Sequence, residues 1–555
     1  QYVPLPPPTA LPIAEDFDDG VAEHFETRLG VWSVSNGRYH AIPLTDGDAA
    51  STLRIDGALP SNLALQATVN IEPPSDGRFS TYFAELRPWL WLLTRSSDSR
   101  MFQQQSVPQI LQSIFSDHGF LDYRSSLTGT YEVRDYTVQY QETAFEFVSR
   151  LMEEEGIFYF FEHEAGKHTL VIADDAAAHK PSPGLSGPVQ VQPARRGQAR
   201  EGDISDCTFE QQVTAEAYAV DDFNFETPAA DLLASAGAEN SRLSLYEYPG
   251  GVRSQDAAAA RARVRMEGVE AVKTRMRGKA IVPLFTVGHT FELAGHERTA
   301  ANAGYVLKRV RHRATGSSYS NRFAAIPSAT PFRPPRVTSK PLIPGTQTAI
   351  VVGPDGEEIW TDEYGRVKVQ FHWDRRGQND ENCSCWIRVA QGWAGESWGS
   401  LFIPRIGQEV IVTFIEGDPD RPLITGSVYN YDQRPPYTLP GEKTKSTIRS
   451  SSSNGGGGFN EIRFEDKQGA EEIYIHAQKD LNVQILDDER RSVLGSRALT
   501  IRGNESHRNR GGFAQEVGGN YVLKIDGNLT IDVSGSATIK EGGRPRRLRP
   551  DSAGE

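Results

Sequence analysis

The chain has 555 residues, enough for roughly three or four domains, with 38% apolar and 24% charged side chains and a net charge of −14. That acidic balance argues against broad nucleic-acid binding, and no run approaches the ~18–20 apolar residues that cross a bilayer as a helix. Cys207, Cys383 and Cys385 are too few for a disulfide framework, so folding in a reducing cytoplasm is the simplest expectation, while 51 Gly and 33 Pro against 4 Met point to turns and strands.

The opening, Gln1 to Pro12, has neither the charged nor the apolar region of a signal peptide. It lacks an initiator Met, as a fragment or processed product would, and its prolines predict an extended arm. Short alternating strands are expected over Asp16 to Glu72, for instance Val31 to Val34 and Leu63 to Ile71, and Phe83 to Thr94 also reads as strand. A helix is predicted from Ser106 as cap to Gly119 as stop. A second is marked by the capping box Thr143/Glu146, by Phe147, Val148, Leu151 and Met152 on one side, and by Gly156 at its end. The Ala- and Arg-rich stretch Ser254 to Gly268 predicts a third, and Val282 to Leu293 returns to strand. Six prolines between Pro327 and Pro344 mark a linker. Ala349 to Tyr431 alternates like a small β-barrel of about five strands, and Ser450 to Gly458 reads as a flexible joint.

The end of the chain carries a repeat. Gly495, Gly503, Gly511, Gly519, Gly527, Gly535 and Gly543 stand eight apart. From Val517 to Ile539 every odd position is apolar or Gly, including Val517, Leu523, Ile525, Leu529, Ile531, Val533 and Ile539, and the even ones are polar or Gly except Val522. Two-residue hairpins would flip the apolar set to the other parity at each turn, and no flip occurs. Three-residue loops keep parity and stay open, as does an ordinary β-meander with Gly in its turns. The favoured reading is an extended ribbon bending at each Gly. It cannot bury its own apolar edge, so identical chains in cyclic symmetry must cover it. Glu505, His507 and Asn509 break the phase, which leaves Val517 to Ile539 as its strictest part.

"AELRPWLWLLTRSSDSRMFQQQSVPQIL" (Ala84 to Leu111) and "YQETAFEFVSRLMEEEGIFYFFEH" (Tyr140 to His163) resemble the hub of VgrG, the trimeric spike of bacterial type VI secretion. "DEYGRVKVQFHWDRRG" (Asp362 to Gly377), the run from Cys385 to Asn430 and "EIYIHAQKDLNVQI" (Glu472 to Ile485) resemble the barrel and needle base of the same family. The resemblance covers about Asp76 to Gly543. It implies a homotrimer assembled in the cytoplasm and then secreted, with an Hcp-like tube protein, a PAAR-type tip, effectors or adaptors, and transient contact with a target membrane; no nucleic acid, cofactor or metal is expected. Two departures stand out. Glu15 to Ile42 looks like the opening of a laminin G-like or concanavalin-like module in place of the hub's first barrel, which fits a natural fusion or a joined or truncated reading frame and puts docking on the tube in doubt. After Gly543 only a short basic tail follows, with no effector domain.

The expected fold is mainly β and multidomain: an α+β hub with β-barrels, an OB-fold barrel and a C-terminal intertwined trimeric β-needle. The divisions are 1–76 (arm and partial module), 77–326 (hub with an incomplete first barrel), 327–345 (Pro-rich linker), 346–440 (OB-fold barrel), 441–458 (Ser/Gly linker), 459–543 (needle, its shaft beginning near Ile473) and 544–555 (basic tail).

Enzymatic readings are weak. Gly395-Glu396-Ser397-Trp398-Gly399 fits the nucleophile-elbow pattern, but Pro-broken strand follows it where a helix is needed. In "HEAGKH", His163 and His168 are one place too far apart for a zinc helix, leaving two exposed strand-turn histidines. "EGDPD" (Glu416 to Asp420) lacks the alternation of a calcium loop and reads as a solvated turn. Cys383 and Cys385 read as buried strand thiols and not as metal ligands with His372, and Gly455 to Gly458 as linker and not phosphate loop. The function expected is structural, without catalysis; the alternatives are a trimeric carbohydrate-binding adhesin or prophage tail spike, or a non-functional recombinant spike.

Overall fold

The computed structural model describes residues 31–35, 38–42, 63–66, 85–542 apart from 165–166, 193–199, 315–317 and 454, and 544–547. It forms two compact units, 1–478 and 479–555. Near the start, Val31–Ser35 pairs antiparallel with Arg38–Ile42, and Leu63–Gln66 with Glu85–Pro88. The rest of the expected N-terminal module, and with it any glycan-binding site, lies outside the described residues.

Helix α1 (Val107–Asp117) starts at a capping box between Ser106 and Gln109, and α2 (Ala144–Glu155) at one between Thr143 and Glu146. Each box ties down amide groups that a helix start leaves unpaired. The apolar faces of both helices meet over the paired strands Ser97–Gln105 and Arg134–Thr143, burying Ile110, Leu111, Ile114, Phe115, Phe147, Val148 and Leu151. The stretch read as strand over Phe83 to Thr94 is instead a short strand followed by a 3-10 turn, Trp89–Arg95. The turn sends Trp89, Leu90 and Leu93 together into the core, where the Trp89 ring stacks on Phe120 at 4.7 Å and meets Phe115 edge-on at 5.2 Å. An alternating strand would have put Leu90 on the opposite side from Trp89 and Leu93.

Gly156 ends α2 in the left-handed region at φ 71°, and a Cβ there would stand 2.5 Å from Val264 Cγ1. Gly156→Ala therefore adds a backbone penalty to a clash and is expected to destabilise the hub by about 1–3 kcal/mol, read as a lower denaturation midpoint.

Six strands form the next sheet, in the order Val189–Gln190, Thr290–Ala294, Gly304–Ala314, Tyr319–Pro327, Thr274–Ala280, Ile204–Gln211. A parallel bridge from Val191 to Ile204 joins its two ends, so the sheet closes around Met276, Phe285, Phe291, Leu307 and Phe323. Only Thr290–Ala294 of the expected strand Val282 to Leu293 is a strand; turns precede it. Helix α3 (Gln255–Glu270) covers a small three-stranded sheet through Ala258 and Ala262.

A second barrel uses Lys368–Phe371, Gln347–Val352, Glu409–Phe414 and Pro422–Val428, in that order. The expected fifth strand is reduced to single bridges, Val367 with Ile387 and Val389 with Ile424, which still enclose Val351, Val369, Phe371, Val410 and Val412.

Pro327 still ends a strand, but the rest of the Pro-rich linker, 328–345, has no helix or strand, as its prolines dictate, yet it is strapped down along its length. Arg333 reaches Glu267 and the carbonyl of Gly156, Glu153 accepts the amides of Val337 and Thr338, and Lys340 bridges Asp418 at 2.7 Å and Asp420 at 2.6 Å. Asp420 also accepts the amide of Val138 at 2.6 Å. Glu416 to Asp420 is therefore no simple solvated turn: Glu416 is exposed, but Asp418 and Asp420 clasp barrel, strap and hub together.

Acid should loosen the hub. Burial pushes the Asp174 pKa up, but the amides of Thr128 and Gly129 (2.8 and 2.7 Å) and the Tyr131 hydroxyl outweigh it and hold the carboxyl below its ordinary value. Burial likewise opposes, and arginines overcome, at Asp98 (Arg375) and Asp117 (Arg100). A carboxyl whose pKa is lowered on folding gives stability that is complete above its unfolded pKa of about 3.9 and lost as pH falls through the folded value. Melting temperatures should hold from pH 7 to about pH 5 and drop below about pH 4, with a smaller drop in Asp174→Asn.

Residues expected as a Ser/Gly linker, 441–458, include a strand, Lys445–Arg449, which opens a meander with Glu461–Glu465 and Glu472–His476. Ile473 belongs to this sheet, so the extended shaft begins later than the sequence implied, at Lys479.

Candidate functional site

From 479 to 537 the chain is extended, with no strand partner and no backbone hydrogen bond within the chain among the described residues. Bends fall at 478–479, 486–487, 494–495, 502–503, 510–511, 518–519, 526–527 and 534–535. Six bends close on Gly495, Gly503, Gly511, Gly519, Gly527 and Gly535; the two before them close on Lys479 and Asp487 and were not legible as part of the repeat because no Gly marks them. Gly543 lies outside the described residues. This is the bending ribbon and not a meander of hairpins.

None of those six glycines has a positive φ, and a Cβ added to any of them meets nothing within 4 Å. Nothing inside one chain therefore requires Gly there. The remaining physical reason for Gly is close approach of a neighbouring backbone, and no neighbour lies in this chain. The apolar side chains are equally bare: Ile525 and Val533 are 42% and 45% exposed, Leu529 and Ile531 58% and 71%. Val517 and Leu523 are also exposed. Ile539 departs from the expectation, because Thr538–Glu541 turns back and pairs with Arg544–Arg547, placing Ile539 opposite Arg546 and giving the basic tail a strand.

The meander carries a related open face. Ile448 pairs with Ile462 and Ile462 with Ile475, while Phe464 pairs with Ile473; all five are exposed. On the opposite face Arg463 lies over the Tyr474 ring at 4.4 Å, and Glu461 accepts the Thr447 hydroxyl at 2.8 Å. One side is satisfied within the chain and the other is not. Ile473 and Ile475 have the same odd parity as Leu481, Val483 and Ile485, all exposed, and as the later ribbon.

The residues considered for catalysis or metal binding do not converge. Ser397 sits at φ 62° in a two-residue turn, with Gly395 paired to Trp398 in the returning strand, so the helix of a nucleophile elbow is missing. A fluorophosphonate probe is expected to leave Ser397 unlabelled, measured by mass spectrometry against Ser397→Ala. His163 and His168 face each other across a hairpin, but His168 is buried and its Nε2 lies 3.4 Å from the amide of Trp89; both rings are held below their ordinary pKa by burial. His372 meets the Thr348 hydroxyl at 3.0 Å. Cys383 lies in a bend, its thiol 3.3 Å from Gln370 Oε1, and Cys385 also stands outside any strand, so neither is the strand thiol expected; burial pushes the Cys385 thiol up to about 12. No cluster of three His, Cys, Asp or Glu side chains suited to a metal occurs among the described residues.

Three family models match in chain order: Phage tail baseplate hub (GPD) over 66–318, Type VI secretion system/phage-baseplate injector OB domain over 348–429, and Bacteriophage T4 gp5 C-terminal trimerisation domain over 446–547. The type VI secretion system spike protein VgrG1b of Pseudomonas aeruginosa is 45% identical over 444 residues, which are 77% of this chain and 60% of that protein. VgrG1a of the same organism is 46% identical over 435 residues, 75% of this chain and 67% of that protein. Among solved structures, an Escherichia coli type VI secretion component, described as similar to the T4 tail proteins gp27 and gp5, aligns at 22% identity and a TM-score of 0.47, covering 70% of this chain and 87% of that one. The chain thus spans 60% and 67% of the length of the two Pseudomonas relatives.

Proposed function

Since the chain belongs to the VgrG family of type VI secretion spike proteins, we propose that it serves as the structural spike of a contractile injection machine, acting as a homotrimer and without bond chemistry of its own. The observation that carries this reading is the uncovered octad ribbon. Three copies wound together would bury each chain's odd-numbered apolar residues against its two partners and pair the backbone groups that each chain leaves open, so that no lateral edge remains. The glycines at the bends let the three backbones approach.

The magnitudes favour assembly. Covering Val517, Tyr521, Leu523, Ile525, Leu529, Ile531 and Val533 at about 1.5–3 kcal/mol each is worth roughly 10–20 kcal/mol per chain, an upper estimate. Bringing a chain into the assembly costs about 4–15 kcal/mol.

The partners in this reading are an Hcp-like tube protein at the hub, a PAAR-type tip at the far end, and effectors or adaptors as cargo. Assembly takes place in the cytoplasm; export carries the trimer out, with brief contact with the target membrane. A strain whose own spike gene is deleted tests it. The chain should reach the culture supernatant when the contractile sheath is intact and stay in the cells when the sheath is deleted; retention in both strains would overturn the reading.

A further inference from the structure

Among the octads between Asp487 and Ser534, 503–510 alone has no apolar side chain on the odd parity, which carries Gly503, Glu505, His507 and Asn509 there. The same parity is apolar on both sides, at Leu499 and Ile501 before it and at Phe513 and Val517 after it. Residues two apart on an extended chain share a face. Glu505 and His507 do so and meet: His507 Nε2 lies 2.5 Å from Glu505 Oε1, with the His507 side chain 72% exposed and the Glu505 side chain 42%.

Polar groups on a face that assembly buries cost free energy unless each finds a partner. An earlier polar pair on this parity is settled inside the chain, Arg491 against Glu489. Glu505 has a second candidate partner in Arg497, which holds the same place one octad earlier. His507 differs. With its Nε2–H donated to the carboxylate, Nδ1 keeps a lone pair, and the nearest other odd positions, Gly503, Asn509 and Gly511, supply no charge. A ring fixed by a carboxylate at one nitrogen and open at the other is the arrangement of a metal-ligating histidine.

We propose that three His507 imidazoles, one from each copy, ligate a single divalent transition cation on the axis of the shaft, each ring oriented by the Glu505 carboxylate of its own chain. The site rests on the trimer reading above: one chain supplies one imidazole, and threefold symmetry brings three to the same level. Imidazole nitrogen suits zinc, nickel or cobalt, whereas magnesium and calcium take oxygen ligands. Three protein ligands leave room for water to complete the coordination, and the Glu505 carboxylates offset the charge of the ion. The cation joins the copies at the level where the ribbon has no apolar side chain to do so.

Cobalt(II) is the probe, added at neutral pH to the full chain after treatment with a chelator, with light scattering reporting the mass. The wild-type trimer should take up one cobalt per three chains, as a site on the symmetry axis requires, and show its visible absorption. His507→Gln should remove that absorption, and Glu505→Gln should weaken cobalt binding by about 10–100-fold. Both variants should keep the mass of three chains, because the apolar stretch from Val517 to Val533 is untouched. The stoichiometry and spectrum of the wild type need no variant, so they decide even if a substitution misfolds. A proven trimer that takes up no cobalt would overturn the metal site and leave the trimer standing. So would one cobalt per chain, or absorption that survives His507→Gln. A wild-type mass of one chain would instead bring down the trimer reading, and this site with it.

Discussion

A chain carrying Asp at both Ile525 and Val533 is expected to be monomeric where the wild type is trimeric. Both positions lie on the odd, apolar parity of the ribbon, and each side chain is only half covered by its own chain. In a wound trimer every copy would place two carboxylates in the shaft interior, six in all. Each charge taken out of water unpaired costs several kcal/mol. Two such charges per chain, at several kcal/mol each, then oppose a gain of roughly 10–20 kcal/mol per chain from which association already takes about 4–15 kcal/mol, and the three Asp at each level also repel one another. Light scattering should show the mass falling from three times the 61.3 kDa chain to one. The hub should keep its fold, because its cores are formed within residues 89–325. Lys524→Asp or Asp532→Asn on the polar parity should change little, within about 0.5 kcal/mol. A double Asp variant that stays trimeric and heat-resistant would mean that the ribbon is not what joins the chains.

The second large effect is expected inside the hub, at Arg150. Its side chain is 4% exposed and grips Glu142, 7% exposed, through Nε at 2.8 Å and Nη2 at 2.7 Å, while Nη2 also donates to the Val138 carbonyl. Burial pushes Glu142 up, and Arg150 works against that shift. Arg150→Ala removes the cation and leaves the carboxylate buried alone, which should cost about 3–5 kcal/mol. Replacing both, as Glu142→Leu with Arg150→Met, should recover most of the loss, since a packed apolar pair is often as stable as a buried ion pair. Denaturant midpoints of the hub transition measure both. A double variant as unstable as Arg150→Ala would mean that the pair gives more than mutual neutralisation, with the Val138 carbonyl the next group to examine.

What could be read from the sequence followed the range of the interactions. The two helix starts were legible because their capping boxes, Ser106 with Gln109 and Thr143 with Glu146, are complete within four residues. The bending ribbon was legible because its period is written in the Gly spacing, although its bends at Lys479 and Asp487 were not. Trp89 to Leu93 misled, since five residues dominated by apolar side chains suit a strand as well as a 3-10 turn, and only packing against Phe115 and Phe120 decides between them. The acids at Asp418 and Asp420 misled for a different reason. Their partners, Lys340 and the amide of Val138, lie about eighty and 282 residues away along the chain, and no local pattern announces them. The open face of the meander stayed hidden too, because it depends on strand register.

Hydrogen exchange of the ribbon amides tests the central claim most directly. Within one chain the backbone from 479 to 537 makes no internal hydrogen bond, so an isolated copy must exchange at the rate of an unstructured peptide. In a wound trimer the same amides pair between chains and should exchange at least about a thousandfold more slowly in the strict region, Val517 to Val533. Protection of that size, lost in the Ile525→Asp/Val533→Asp chain, is the predicted result. Peptide-like exchange across the whole ribbon in the wild-type protein would contradict it.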